Sequence, residues 1–266
     1  MIAPILLDAK HIESQLTPNC LALIAVLDVF ESIDSTNRYL MSQAQENAPS
    51  GSVCFTNSQT AGKGRQGRQW VSPQGANIYG SFLWNFSNVA QFNGLSLAIG
   101  VGVVRVLKKY GISQIGLKWP NDIYSEGKKL GGILIEVTSR ADGKASAVIG
   151  LGLNVDLPQN IAGITQAYTD LNTIAPGITI ERNTLIANLL NELIPLTASF
   201  ETQSLSAYLD EWRDYDCLKG KIATLYVGKQ AIEGIVQGID DNGLLKLQRA
   251  DGLENVFASG EVSFSQ

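Results

Sequence analysis

The texture of the chain changes after Cys217, and that change limits the fold more than any other feature. Residues 218 to 266 hold short β-like runs, KIATLYV, AIEGIVQGI, LLKLQ and NVFASGEVSF, separated by turn signals at Val227-Gly228-Lys229, Asp241-Asn242-Gly243 and Asp251-Gly252. Strands this short and this regularly punctuated predict a small β-barrel of about 48 residues. The boundary falls near 216, giving a larger domain over residues 1–216 and a small β-domain over 217–266.

Before the boundary, helical and β-like segments mix. CLALIAVLDVF, ending at Phe30, reads as a buried strand. Ser35, Thr36 and Asn37 offer three N-caps for a helix through about Glu46, which Pro49-Ser50-Gly51 ends. Residues 51 to 58 and 77 to 86 are rich in β-formers. From Gly94 to Tyr110 apolar residues recur at helical spacing, Lys108 and Lys109 suit the negative end of the helix dipole, and Gly111 is a stop. A short strand to Lys118, a Trp-Pro-Asn-Asp turn, a strand 132–138 entered through Glu126-Gly127 and a strand 147–155 follow. Glu181 to Tyr215 reads as mostly helical, with Pro195 kinking or splitting it. This mixture, with several hairpins, predicts an α+β mixed sheet with helices rather than a doubly wound parallel sheet.

At 266 residues, 45% hydrophobic and 17% charged, the chain can bury a large core and is neither a disordered tail nor a basic nucleic-acid coat protein. Its three cysteines, Cys20, Cys54 and Cys217, are too scattered for a zinc site and too few and odd for a disulfide framework, which fits a reduced, cytoplasmic setting. The only histidine is His11, so a catalytic triad or His-rich metal site is not expected. The apolar stretch Leu95 to Val104 falls short of the roughly 20 residues of a membrane helix, and no basic region precedes the N-terminal apolar patch as in a signal peptide.

The net charge of −5 hides an asymmetry. No Asp or Glu occurs between Glu46 and Asp122, whereas Lys63, Arg65, Arg68, Arg105, Lys108, Lys109 and Lys118 do, so this segment carries +7 and the rest −12. Within it, Gly62-Lys63-Gly64-Arg65-Gln66-Gly67-Arg68 matches G-x-G-x-x-G. A dinucleotide fold also needs an acid about 20 residues on, and the Walker loop needs Lys and Ser or Thr after its last glycine; neither is present. Alternating glycines and cations can still enclose a phosphate or carboxylate, with a solvated basic turn as the competing reading. Lys118-Trp119-Pro120-Asn121-Asp122 places a lysine at a strand end, and Gly127 to Gly132 adds a second Gly-Lys segment. Gly150, Gly152 and Asn154 either bring backbone close to a flat ring or mark a bulge.

In order and spelling these segments resemble the biotin protein ligase family: Ser35-Thr36-Asn37, Gln59 to Trp70, Lys118 to Asp122, Lys129 to Glu136 and Gly150 to Asn154. The resemblance spans about residues 25 to 266. Lys63 stands where the family usually has Arg, exchanging a planar fork for a point charge.

The resemblance implies a class II synthetase-like catalytic domain with an SH3-like C-terminal barrel. It implies that biotin and ATP, with Mg2+, form biotinyl-5'-AMP, and that biotin then passes to one lysine of a biotin carboxyl carrier protein or domain of acetyl-CoA carboxylase. By the family match, Ser35, Thr36, Asn37 and Gln59 line the biotin headgroup pocket, with Gly62, Lys63, Gly64, Gly131 and Gly132 also on the biotin side. Arg65 and Lys118 are the catalytic candidates, shared by both ligands. Arg68, Trp70, Asn121, Asn154 and Tyr168 are assigned to the nucleotide, and no protein ligand for the metal is named. About 30 residues precede Ser35, too few for a winged helix-turn-helix, so a ligase-only form without DNA binding is expected, with no membrane association and with a homodimer left open. The alternatives are a lipoate or octanoate ligase or transferase of related fold, and a non-catalytic biotin-sensing module. The chemistry agrees with the ligase: a carboxylate is already an anionic nucleophile, so adenylation needs no general base, only fixed cations.

Overall fold

The computed structural model describes residues 6–88, 92–139, 143–158 and 161–264. Helix α1 (Ala9–Glu13) is capped by Asp8, and α2 (Pro18–Leu23) by Thr17, with Pro18 in the first turn where its missing N–H costs nothing. The run CLALIAVLDVF is therefore not one buried strand. Its first part completes α2, and its last part is β1 (Val26–Phe30), a sheet-edge strand whose Val26 is exposed. The Thr-Pro cap starts a helix that the apolar run alone does not reveal.

Ser35 caps α3 (Thr36–Gln45) by accepting from the Arg38 N–H. Strands β2 (Ser52–Thr56) and β3 (Asn77–Phe86) follow, then α4 (Leu95–Lys109), which enters from Gly94 and ends before Gly111, both at φ 79°. The next segment is a meander of β4 (Gly116–Lys118), β5 (Asp122–Ser125), β6 (Lys128–Ser139) and β7 (Ala145–Asn154). It holds one strand more than the sequence reading, because Glu126-Gly127 turns β5 into β6, both residues at positive φ.

After α5 (Leu171–Ile174), α6 (Arg182–Gln203) runs unbroken through Pro195. The expected break lies instead at Ser204, at φ 55°, before a 3₁₀ turn (Leu205–Tyr208) and α7 (Leu209–Tyr215). Burial of α6 along its length, from Leu185 to Phe200, overrides the one hydrogen bond that Pro195 cannot donate.

The first sheet has the order β1-β2-β3-β7-β6-β5-β4, parallel only between β1 and β2. Helices α4 and α6 bury one face, against Ile78, Phe82, Ile133 and Ile149 among others. On the opposite face α3 covers only part, packing Leu40 and Ala44 on Cys54, Leu83 and Val148. Because side chains alternate across a strand, Gly150 and Gly152 share the face of Val148, and register places Leu134 beside Gly150 and Gly132 beside Gly152. The uncovered half of that face is thus floored by glycine.

The second sheet, β8 (Ile222–Val227), β9 (Gln230–Ile239), β10 (Leu245–Gln248), β11 (Glu254–Phe257) and β12 (Glu261–Phe264), is antiparallel in the order β11-β10-β9-β8-β12. NVFASGEVSF is two strands, separated at Gly260, and β12 pairs with β8. Ala223, Leu225, Leu245 and Val262 join the same apolar cluster as Leu97, Leu117 and Trp119. The Trp119 indole N–H donates to the Gly243 carbonyl at 3.0 Å.

Candidate active site

A cleft over the glycine floor is lined by Ser35, Thr36, Asn37 and Gln59 at one end and by Arg65, Lys118, Asn121 and Asp122 further along. A second chamber, lined by Val71, Asn154, Gly163 and Tyr168, shares Arg68, Trp70, Lys129 and Glu261 with the first. The structure therefore brings together most of the residues singled out from sequence. Lys63 and Gly64 lie on the cleft wall, with Lys63 exposed, and Gly132 belongs to the floor. Gly62 and Gly131 line neither chamber. A Cβ at Gly62 would meet the Trp70 carbonyl at 2.5 Å and one at Gly131 the Gly152 carbonyl at 2.7 Å, so both permit backbone packing behind the wall.

The polar end is neutral and internally paired. The backbone N–H of Thr36 donates to Gln59 Oε1 at 3.0 Å, and Gln59 Nε2 donates to Ser72 Oγ at 3.0 Å. Thr36 Oγ1 lies 2.7 Å from Ser81 Oγ, which donates to Asn37 Oδ1 at 2.6 Å. Asn37 Nδ2 donates to Glu136 Oε2 at 2.9 Å. The glycines make room for this. A Cβ on Gly150 would stand 2.2 Å from Asn37 Oδ1, and one on Gly152 2.5 Å from the Trp70 ring. Strand β7 pairs in unbroken register with β3 and β6, so these glycines mark no bulge, and the flat ring that Gly152 approaches is the chain's own Trp70.

The other end is cationic. Lys118 is 7% exposed, its ammonium 3.8 Å from Asp122 and 5.0 Å from the Tyr124 ring centroid. Burial pushes its pKa below the ordinary lysine value, and the attraction of Asp122 offsets this only in part. Lys129 Nζ sits 2.8 Å from Asp122 and 5.3 Å from the Trp70 ring centroid. Arg65, in a 3₁₀ turn (Arg65–Gly67), donates to Asn121 Oδ1 at 3.2 Å and to the Gly260 carbonyl at 3.4 Å. Burial lowers its pKa as well. Arg68 pairs with Glu261. By contrast Arg105 pairs with Glu192 and Glu211, Lys109 pairs with Glu192 and Lys108 lies over Tyr215, so these three cations of the acid-free segment are engaged away from the cleft.

In the second chamber Asn154 donates to the Thr169 carbonyl at 2.9 Å and accepts from Asn77 at 3.3 Å, and the Tyr168 hydroxyl donates to the Pro158 carbonyl. Trp70 Nε1 is buried without a hydrogen-bond partner among the described residues. Sequence reasoning did not single out Ser81, Asp122, Lys129, Glu136 or Glu261. Asp122, Lys129 and Glu136 lie inside motif segments already recognised; Ser81 and Glu261 carry no local signal.

Two family models match the chain: the biotin/lipoate A/B protein ligase family over residues 29–154 and the biotin protein ligase C-terminal domain over 221–265. The bifunctional ligase/repressor BirA of Escherichia coli is 39% identical over 260 residues, covering 97% of this chain and 78% of that protein. The biotin–[acetyl-CoA-carboxylase] ligase of Mycobacterium tuberculosis is 32% identical over 243 residues, with 89% and 88% covered. Among solved structures, the Aquifex aeolicus biotin protein ligase in complex with biotin and ATP superposes with a TM-score of 0.76 at 27% identity, covering 91% of this chain and all of that one.

Fold and site together define the class of biotin and lipoate ligases. Within that class the chain belongs to the biotin protein ligase family.

Proposed function

We propose that this protein is a biotin–[acetyl-CoA-carboxylase] ligase, attaching biotin to a lysine of a biotin carboxyl carrier protein or domain at the expense of ATP. The observation that carries the reading is one cleft whose neutral hydrogen-bonding end runs over a glycine floor into desolvated cations. A cyclic urea is neutral and polar and suits the first end; a carboxylate meeting a polyphosphate needs the second.

A biotin carboxylate oxygen attacks the α-phosphorus of ATP, the bond to the bridging oxygen breaks, and pyrophosphate leaves. Lys118 lies where negative charge accumulates, and its burial makes that charge count for more than it would in water. Lys129 reaches the same region, and Asp122 bridges the two ammonium groups and offsets their mutual repulsion. Arg65 closes over the acyl-phosphate and retains it. The carrier lysine's amine then attacks the acyl carbon, AMP departs, and the amine's surplus proton passes to solvent. Asn154 and Tyr168 shape the chamber assigned to adenine, and residues 1–216 and 217–266 act as catalytic and closing domains.

Mg2+ accompanies ATP and neutralises phosphate charge. Among the described residues no group of three or more His, Cys, Asp or Glu could hold a metal ion. Asp122 and Glu261 in the cleft both face cations. These residues fit an ion carried by phosphate and water oxygens, which magnesium favours. Among the described residues no helix is long and apolar enough to cross a membrane.

Biotin-dependent ATP–pyrophosphate exchange, compared with lipoate and followed by transfer to a carrier domain, tests the reading. Exchange with biotin alone supports it; exchange with lipoate alone, or none, overturns it.

A further inference from the structure

The bonds around Asn37 form a directional relay. A carboxylate only accepts, so the Asn37 amide must turn its NH2 toward Glu136, 2.9 Å away. That leaves Asn37 Oδ1 toward Ser81, whose single proton it takes at 2.6 Å. Ser81 Oγ can then only accept across the 2.7 Å contact with Thr36 Oγ1, so Thr36 spends its one proton there. The 3.3 Å approach of Thr36 Oγ1 to Gln59 Oε1 is thereby left without a proton, and Gln59 Oε1 is held by the Thr36 backbone N–H instead. Thr36 Oγ1 consequently meets the cleft with lone pairs only.

Glu136 stands on β6, opposite Val148 of β7, on the glycine-floored face of the sheet. It does not line the cleft. Asn37, Ser81 and Thr36 are each under 5% exposed, so no solvent exchange relaxes the chain of bonds.

We infer that Glu136 is a positioning residue that sets the hydrogen-bond polarity of the biotin end, making Thr36 an acceptor for a ligand N–H. The inference rests on the ligase reading above and deepens it by naming the group recognised. A cyclic urea supplies such an N–H. The dithiolane ring of lipoate has none and would leave a buried acceptor unpaired, which is the costlier error.

The test compares steady-state adenylation by wild type, Glu136→Gln and Ser81→Ala, all in the full chain. Glutamine keeps the shape of glutamate but can also donate, so the relay is free to run in either direction. The KM for biotin is expected to rise roughly fivefold in each variant, the value of one neutral hydrogen bond. The KM for ATP stays within twofold and kcat within threefold. Dethiobiotin, which keeps the urea, shows the same fold-change as biotin. The double variant is no worse than the poorer single one, because both cut the same chain of bonds.

A biotin KM within twofold of wild type in both single variants overturns the inference. So does a double variant whose effects multiply, the signature of two independent structural lesions. If the unsubstituted protein shows no biotin-dependent exchange, the ligase reading itself has failed. If it does exchange while the variants leave the biotin KM unchanged, only the role of Glu136 has.

Discussion

The two ends of the cleft solve opposite problems. At the neutral end, Thr36, Asn37, Gln59 and Ser81 are paired with one another and with Ser72 and Glu136 within the chain itself. At the charged end, Lys118 and Arg65 are desolvated and only partly compensated, with Asp122 serving two ammonium groups. The first arrangement fixes which atoms donate and which accept. The second holds charge at a cost that an arriving anion repays. Substitutions at the charged end should therefore act on kcat, and those at the neutral end on the KM for biotin.

The largest expected effect comes from Lys118→Ala, which should slow adenylation by roughly 10²-fold or more, the scale of losing one transition-state donor. A near-normal rate of biotin-dependent pyrophosphate exchange would erase the distinction between the ends. Next, Gly150→Ala drives a methyl into the Asn37 amide, 2.2 Å away, and should cost roughly 1–3 kcal/mol of stability in denaturant titration. An undiminished unfolding midpoint would show that the neutral end is less rigid than its hydrogen bonds imply. Arg65→Ala should release the adenylate about tenfold faster, as expected for one charge-assisted hydrogen bond. Mass spectrometry would then find biotin on unintended lysines; unchanged retention and acceptor selectivity would remove Arg65 from that role. Thr36→Val should raise the KM for biotin roughly fivefold and spare kcat. A fall in kcat instead would blur the two ends.

The smallest effect is in pH dependence. A lysine whose pKa is lower folded than unfolded binds fewer protons in the native state between those values, so its contribution to stability improves as pH rises through that window. Adenylation moves the other way, because it needs the ammonium and declines as pH rises through the lowered pKa. Lys118→Arg should flatten that alkaline decline, which a pH–rate profile will show; an identical decline in the variant would assign it elsewhere.

Much of this was legible in the sequence, for definite reasons. The Ser35 cap, the glycine stop at 111 and the punctuated strands after Cys217 are local signals, and local geometry followed them. CLALIAVLDVF misled because hydrophobicity does not separate the end of a helix from an edge strand. Pro195 does not split α6, because packing along the helix outweighs one lost hydrogen bond. In the cleft, Ser35 to Asn37 and Lys118 to Asn121 announced themselves by motif. Ser81 did not, since a serine in a strand gains meaning only from the register that sets it against Gly150 and beneath Asn37. Glu136 closes a motif segment, but its role is not legible there, because an acid in a strand reads as a solvent-facing residue until its partner is known.

Arg65 donates to the carbonyl of Gly260, 195 residues later in the chain, and Arg68 meets Glu261 at a similar separation. A ribosome that has finished every segment of the glycine-floored sheet has not yet supplied the wall that these arginines rest against. The nascent chain can then assemble its neutral pocket early, while the contacts of Arg65 with Gly260 and of Arg68 with Glu261 form only after β12 has emerged and paired with β8. Translation order thus separates the acquisition of a pocket from the acquisition of a finished cleft.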